Sequence, residues 1–315
     1  MKTRLAKGLS VLLAIVATGY FIAYAWRALA GRDLSGLLDR QVVYAASALT
    51  ALYAASISTT ALAWVRMLAT MKQPHPVRRL LPILAATQFG KYLPGNIAHH
   101  LGRVALARSV GIQVTPAILS VTYELVLALV AAVHVGALTL LWSPPEPFTH
   151  WPFARYRGLL LVLITLGAAA LLLLAPRVVE TLTRLRGKDP EGSCSGPLRL
   201  DLVSAAVCYS MYMSGLILIG FGLWLVAAAL APEAMHVPGP LFFIGAFASS
   251  WILGFIAPGA PAGLGVREAI LSAWLAGVLP PAQAVLLIIT LRIATTVGDL
   301  ANFAWGGIVL LRQRI

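Results

Sequence analysis

The chain has 315 residues, of which 59% are hydrophobic and only 11% charged, and its 24 Lys and Arg against 11 Asp and Glu give a formal charge of +13. A soluble domain carries about a quarter charged residues, so the composition excludes a soluble enzyme core and describes an all-α polytopic membrane protein with one membrane domain, 1–315. The basic residues fall in short runs between apolar segments, which is how membrane topology is written and speaks against nucleic acid as a partner.

The N-terminal stretch MKTRLAKGLSVLLAIVATGYFIAYAWRALA has a basic head and Ala-x-Ala triplets at Ala23–Ala25 and Ala28–Ala30, as a cleaved signal peptide does. Its apolar run from Leu9 to about Ala25 is longer than the roughly 7–15 residues of a signal-peptide core, so it reads as an uncleaved first helix. A hydrocarbon core of ~30 Å takes ~20 apolar residues to span. On that measure about six full spans fall near 8–29, 41–65, 117–142, 158–176, 200–231 and 282–311. Two interrupted segments, about 80–110 and 240–280, lie between them. The aromatic loop PPEPFTHWPFARY, with Trp151, Phe153 and Tyr156, reads as an interface anchor. The run from Cys208 to Gly215, CYSMYMSG, fits close helix packing or a path lining equally well. Cys194 and Cys208 form neither a disulfide framework nor a metal site.

With a cytoplasmic N-terminus, and each interrupted segment returning to its own side, fourteen basic loop residues lie inside and five outside. That bias supports the orientation and places both termini in the cytoplasm. It also makes the two interrupted segments enter from opposite faces. GKYLPGNIAHHLGR, Gly90–Arg103, lies over GFIAPGAPAGLGVR, Gly254–Arg267, without a gap. Gly90 matches Gly254, Pro94 matches Pro258, Gly95 matches Gly259 and Arg103 matches Arg267, with Gly263 and Gly265 adding further breaks to the second copy. The limbs of the first segment, about Leu80–Leu93 and Ile97–Val110, have 14 residues each and reach only ~21 Å. Two re-entrant helical hairpins in an inverted repeat are therefore expected, and backbone broken at membrane depth must be enclosed by protein or line a wet cavity.

The charges inside the apolar segments gather at these breaks. A helix restarting near Val266 offers free N–H groups that suit an anion, Arg267 adds a forked donor, and Glu268 is placed to hold Arg267. A structural Arg267–Glu268 pair is the alternative. Lys91, His99, His100 and Arg103 make a second basic cluster around a Pro-Gly-Asn turn whose Asn96 could cap the helix that follows. The His doublet is a poor metal site, because adjacent helical side chains diverge and no third ligand sits at the right spacing. Arg108 reads as a snorkelling residue at the hairpin foot. In the last span Arg292, Thr295, Asp299 and Asn302 form one stripe, and Glu124 needs a partner from another helix. Arg292 is expected to reach Glu124, Glu268 or the ligand, and Asp299 to reach Arg103 or Arg267. No Gly-rich phosphate loop, nucleophile elbow or paired carboxylate motif is present, so no enzymatic activity, cofactor or metal is expected.

QFGKYLPGNIAHHLGR and PGAPAGLGVREAIL resemble the signatures of the lysylphosphatidylglycerol synthase transmembrane-region, or flippase-like, family. Ala260-Pro261-Ala262 stands where a shorter glycine-rich form is expected. The resemblance implies an inner-membrane protein with re-entrant helices that moves a lipid or lipid-linked headgroup between leaflets, and it does not extend to the aminoacyl-transferase of the family's best-known member.

Three functions remain open. In a flippase, Lys91, Arg103, Arg267 and Arg292 bind an anionic lipid head, with Glu124, Glu268 and Asp299 as counter-charges. A secondary transporter for a small anion and a scaffold for a glycosyltransferase or synthase are the alternatives. Cysteines introduced near His75 and near Val237 should label from opposite faces of the membrane, and labelling of both from one face would remove the inverted-repeat argument.

Overall fold

In the computed structural model of the chain, the described residues are 19, 22–23, 25–30, 39–93, 97–142, 155–185, 200–234, 239–257 and 260–313. They are helical, with one isolated bridge between Ala276 and Leu279 and no strand among them. Five helices are long and apolar enough to cross a membrane: α1 (Arg40–Thr70), α4 (Val114–Trp142), α5 (Arg157–Leu185, apolar through Leu174), α6 (Leu202–Leu230) and α9 (Pro281–Gln313). They coincide with five of the six expected spans. The expected first span lies largely outside the described residues, which are helical at 25–29. Cys194, Trp151 and Phe153 also lie outside them.

The interrupted segments are short helices. The first is α2 (Val77–Thr87), a 3-10 turn at Gln88–Tyr92 and α3 (Ala98–Ser109). The second is α7 (Pro240–Ile256), a 3-10 turn at Pro261–Gly263 and α8 (Val266–Leu275). At 1.5 Å per residue the 12 residues of α3 span ~18 Å and the 10 of α8 ~15 Å, both short of a bilayer core. Pro94, Gly95, Asn96, Pro258 and Gly259 lie outside the described residues. Ile97, with no side-chain cap, occupies the N-cap of α3, and the capping expected of Asn96 falls outside the described residues. The second break carries three positive-φ residues within four positions, Ala262 (φ 51°), Gly263 (φ 71°) and Gly265 (φ 80°). Glycine takes these angles freely, whereas Ala262 pays roughly 1–2 kcal/mol for its Cβ. α8 then restarts at Val266, as expected from the sequence.

The two short helices of each segment pack on each other, and each segment rests on helices from both halves of the chain. α2 packs on α1, α3 and α9, whereas α7 packs on α4, α6 and α8. The two 3-10 turns meet. Around them α1 and α6 form the most extensive pairing, fixed by the Arg66 Nε bond to Ser204 Oγ at 3.0 Å, and α1 is tied to α4 by Trp64 Nε1 donating to Ser120 Oγ at 2.9 Å. Asp201 caps α6, accepting the Ser204 N–H at 2.9 Å, and that bond holds its carboxyl below the usual carboxylate range. α5 is peripheral, with 6% of its apolar window buried.

The α6–α7 contact depends on a missing side chain. A Cβ at Gly220 would stand 2.5 Å from the Ile244 Cα, a backbone atom that cannot step aside. Gly220→Val should therefore destabilise the protein by about 1–3 kcal/mol through overpacking, read as a lowered thermal midpoint by tryptophan fluorescence in detergent.

Candidate functional site

A cavity of about 240 Å³ lies where the two 3-10 turns meet, with each of α1 to α9 except α5 contributing to its wall. Lys91, Arg103, Glu124, Arg267 and Asp299 line it. Arg292 and Glu268 stand beside it, paired with each other, and Arg292 also donates to the Ala262 carbonyl of the second break. All seven charged residues expected at the site are thus brought together from five elements.

Three ion pairs account for six of them. Asp299, 1% exposed, accepts from Lys91 Nζ at 2.7 Å, from the Tyr53 hydroxyl at 2.9 Å and from the Tyr92 hydroxyl at 2.7 Å. Lys91 also donates to the Tyr53 oxygen at 2.6 Å, which closes the cluster. Arg103, 2% exposed, donates through Nη1 to Glu124 Oε2 at 2.8 Å and lies 5.1 Å from the centre of the Trp64 ring. Arg292 Nε donates to Glu268 Oε1, and its Nη1 and Nη2 approach the Ala262 oxygen at 3.4 and 3.5 Å.

These pairings correct two expectations. Asp299 meets Lys91, not Arg103 or Arg267. Glu268 pairs with Arg292 and does not hold Arg267, because neighbouring residues on a helix point in directions ~100° apart. Arg292 and Asp299 do take partners on other elements, and Glu124 finds its cation on another helix.

Arg267 is left over. Among the described residues its guanidinium makes no hydrogen bond or ion pair, and its buried Nε has no partner. Its contact is with the Trp251 ring, 6.0 Å from the guanidinium carbon to the ring centre. Other polar atoms around the cavity are also buried without partners: Arg103 Nε and Nη2, the Tyr212 hydroxyl, His99 Nδ1 and both ring nitrogens of His100. Such atoms are rare in native proteins unless water or a ligand meets them. The His99 and His100 rings do not diverge as expected; at the start of α3 they lie with centroids 3.8 Å apart. No group of three metal-ligating side chains occurs among the described residues.

The matched glycines of the two repeats have matching roles. A Cβ at Gly90 would stand 2.8 Å from the His99 backbone nitrogen, and one at Gly254 would stand 2.3 Å from Arg267 Cγ. Each glycine clears the space its own returning limb occupies.

Tyr53, Tyr92 and Trp251 stand at the site without being among the residues expected there. Tyr53, Ser56 and Thr60 recur at i, i+3 and i+7 on α1, a polar stripe in an apolar helix that signals a wet face as clearly as the one on α9. Tyr92 and Trp251 carry no such signal.

The family model described as the lysylphosphatidylglycerol synthase TM region matches residues 9–301. Comparison with curated proteins gives no match.

Removing one member of the Lys91–Asp299 pair strands a charge beside the cavity. Asp299→Ala should cost at or below the roughly 3–5 kcal/mol of a broken buried pair, because Lys91 can reach cavity water. Asp299→Leu with Lys91→Met should cost less than the sum of the single changes in detergent-resistance assays; simple additivity would uncouple the two hairpin-facing residues.

Proposed function

The chain belongs to the lysylphosphatidylglycerol synthase TM-region family, and on that premise we propose that it translocates an anionic lipid or lipid-linked headgroup between the leaflets of the cytoplasmic membrane, without catalysing a covalent step. The observation that carries this reading is Arg267: four cations meet three carboxylates, and the unpaired one faces a cavity. A forked guanidinium beside the uncapped start of α8 is suited to a phosphate. Arg103, with two unused N–H-bearing nitrogens, is the second donor. Lys91, Arg292, Glu124, Glu268 and Asp299 hold this frame and can exchange partners as a head passes.

The surface beside the breaks favours a lipid over a soluble anion. Leu93, Ile97 and Leu264 are 56%, 58% and 42% exposed, an apolar rim along which acyl chains can stay in the bilayer while the head enters. In this reading the two hairpins are re-entrant and enter from opposite faces, with both termini cytoplasmic. A partner glycosyltransferase or synthase would supply or consume the head.

The three ion pairs favour a second reading, a scaffold in which charges only lock helices together. Arg267 separates the two. In proteoliposomes containing fluorescent phosphatidylglycerol, Arg267→Ala should lower the rate of leaflet exchange by at least tenfold, and Arg267→Lys should restore part of it by keeping the charge without the fork. Wild-type rates for both variants, with unchanged thermal midpoints, would reject transport through this site.

A further inference from the structure

The unpaired atoms of the cavity describe more of the ligand than its charge. Resting on the transport reading above, three independent features bear on the head's chemistry.

The first is stoichiometry of charge. Four cations and three carboxylates leave a single positive charge, which one phosphodiester neutralises. A head that also carries an ammonium would restore the imbalance.

The second is the direction of the hydroxyls. Ser56 donates to the Tyr53 carbonyl at 2.6 Å, Thr59 to the Ser56 carbonyl at 2.7 Å and Thr60 to the same carbonyl at 3.3 Å. Their hydrogens are committed to the helix, so toward the cavity they present acceptor oxygens. Tyr212, 9% exposed, adds a hydroxyl with no partner. A wall of acceptors suits a ligand that brings O–H groups.

The third is the aromatic wall. Trp251 and Phe255 lie parallel on α7, with centroids 5.4 Å apart and planes 9° apart, and both line the cavity. A smaller space of about 120 Å³ adjoins it, sharing Ser56, Thr60, Tyr212 and Trp251 and reaching Thr59 and Gly215. Together the two spaces, about 240 and about 120 Å³, leave room for a compact polar head. Aromatic walls also receive quaternary ammonium groups, but here the Arg267 guanidinium already stands against Trp251 and repels a second cation.

We infer that the head is a phosphodiester of a cyclic polyol or sugar, with its phosphate on Arg267, its ring against Trp251 and its hydroxyls on Ser56, Thr59, Thr60 and Tyr212. Trp251 is the residue that selects the ring. The adjacency of Arg267 and Trp251 places the two subsites one phosphodiester link apart.

The test compares acyl-labelled phosphatidylinositol, phosphatidylglycerol, phosphatidylcholine and glucosyl diacylglycerol in proteoliposomes of the full chain. Phosphatidylinositol should cross about fivefold to tenfold faster than phosphatidylglycerol, the size of an aromatic contact, and the phosphate-free glycolipid and phosphatidylcholine should be slowest. Trp251→Ala should bring the phosphatidylinositol to phosphatidylglycerol ratio close to one, and Trp251→Phe should keep most of it. Equal wild-type rates for these two lipids, or an unchanged ratio in Trp251→Ala, overturn the ring assignment while leaving headgroup transport standing. If no lipid crosses, uptake of glycerophosphoinositol separates the remaining outcomes. Uptake that falls in Trp251→Ala keeps the ligand chemistry with a soluble source and rejects lipid transport; absence of uptake rejects both.

Discussion

A charge taken out of water must find an opposite charge or a cavity, and this protein applies that constraint four times within one small volume. Asp299, Glu124 and Glu268 each capture one cation, and each capture joins two elements: α9 to the distant first break, and the consecutive pairs α3 with α4 and α8 with α9. The breaks are held open by the same contacts. Arg292 leans on the carbonyl of Ala262, where the backbone is least comfortable, and Lys91 anchors the turn that faces it.

The repeat gains physical meaning from its glycines. Gly90 and Gly254 share no neighbour, yet each removes a side chain from beneath its own returning limb, one at the His99 backbone and the other at the Arg267 stem. The matched arginines then diverge in role. Arg103 spends one nitrogen on Glu124, whereas the Arg267 guanidinium has no ion pair among the described residues and its buried Nε has no partner.

The long helices were readable from apolar run length alone, because a membrane span leaves little freedom in composition, and the places where helices are short and interrupted followed from Pro-Gly pairs inside apolar sequence. The restart at Val266 was readable for the same reason. Pair identities were not. Lys91 and Asp299 are separated by 208 positions, and nothing in either neighbourhood specifies the other. Arg267 and Glu268 are adjacent in sequence but leave their helix in different directions, so proximity along the chain misdirected the assignment. Tyr53 escaped notice because a tyrosine in a membrane helix is unremarked until its hydroxyl is seen against a buried carboxylate.

The crossed seating of the hairpins bears on how the protein is made. During synthesis α2 and α3 emerge well before α9, the helix on which α2 rests and which supplies the carboxylate for Lys91. Until α9 is made, Lys91 lacks its carboxylate and has only the Tyr53 hydroxyl of α1 to meet it. The last helix of the chain is thus the one that neutralises a charge laid down some two hundred residues earlier.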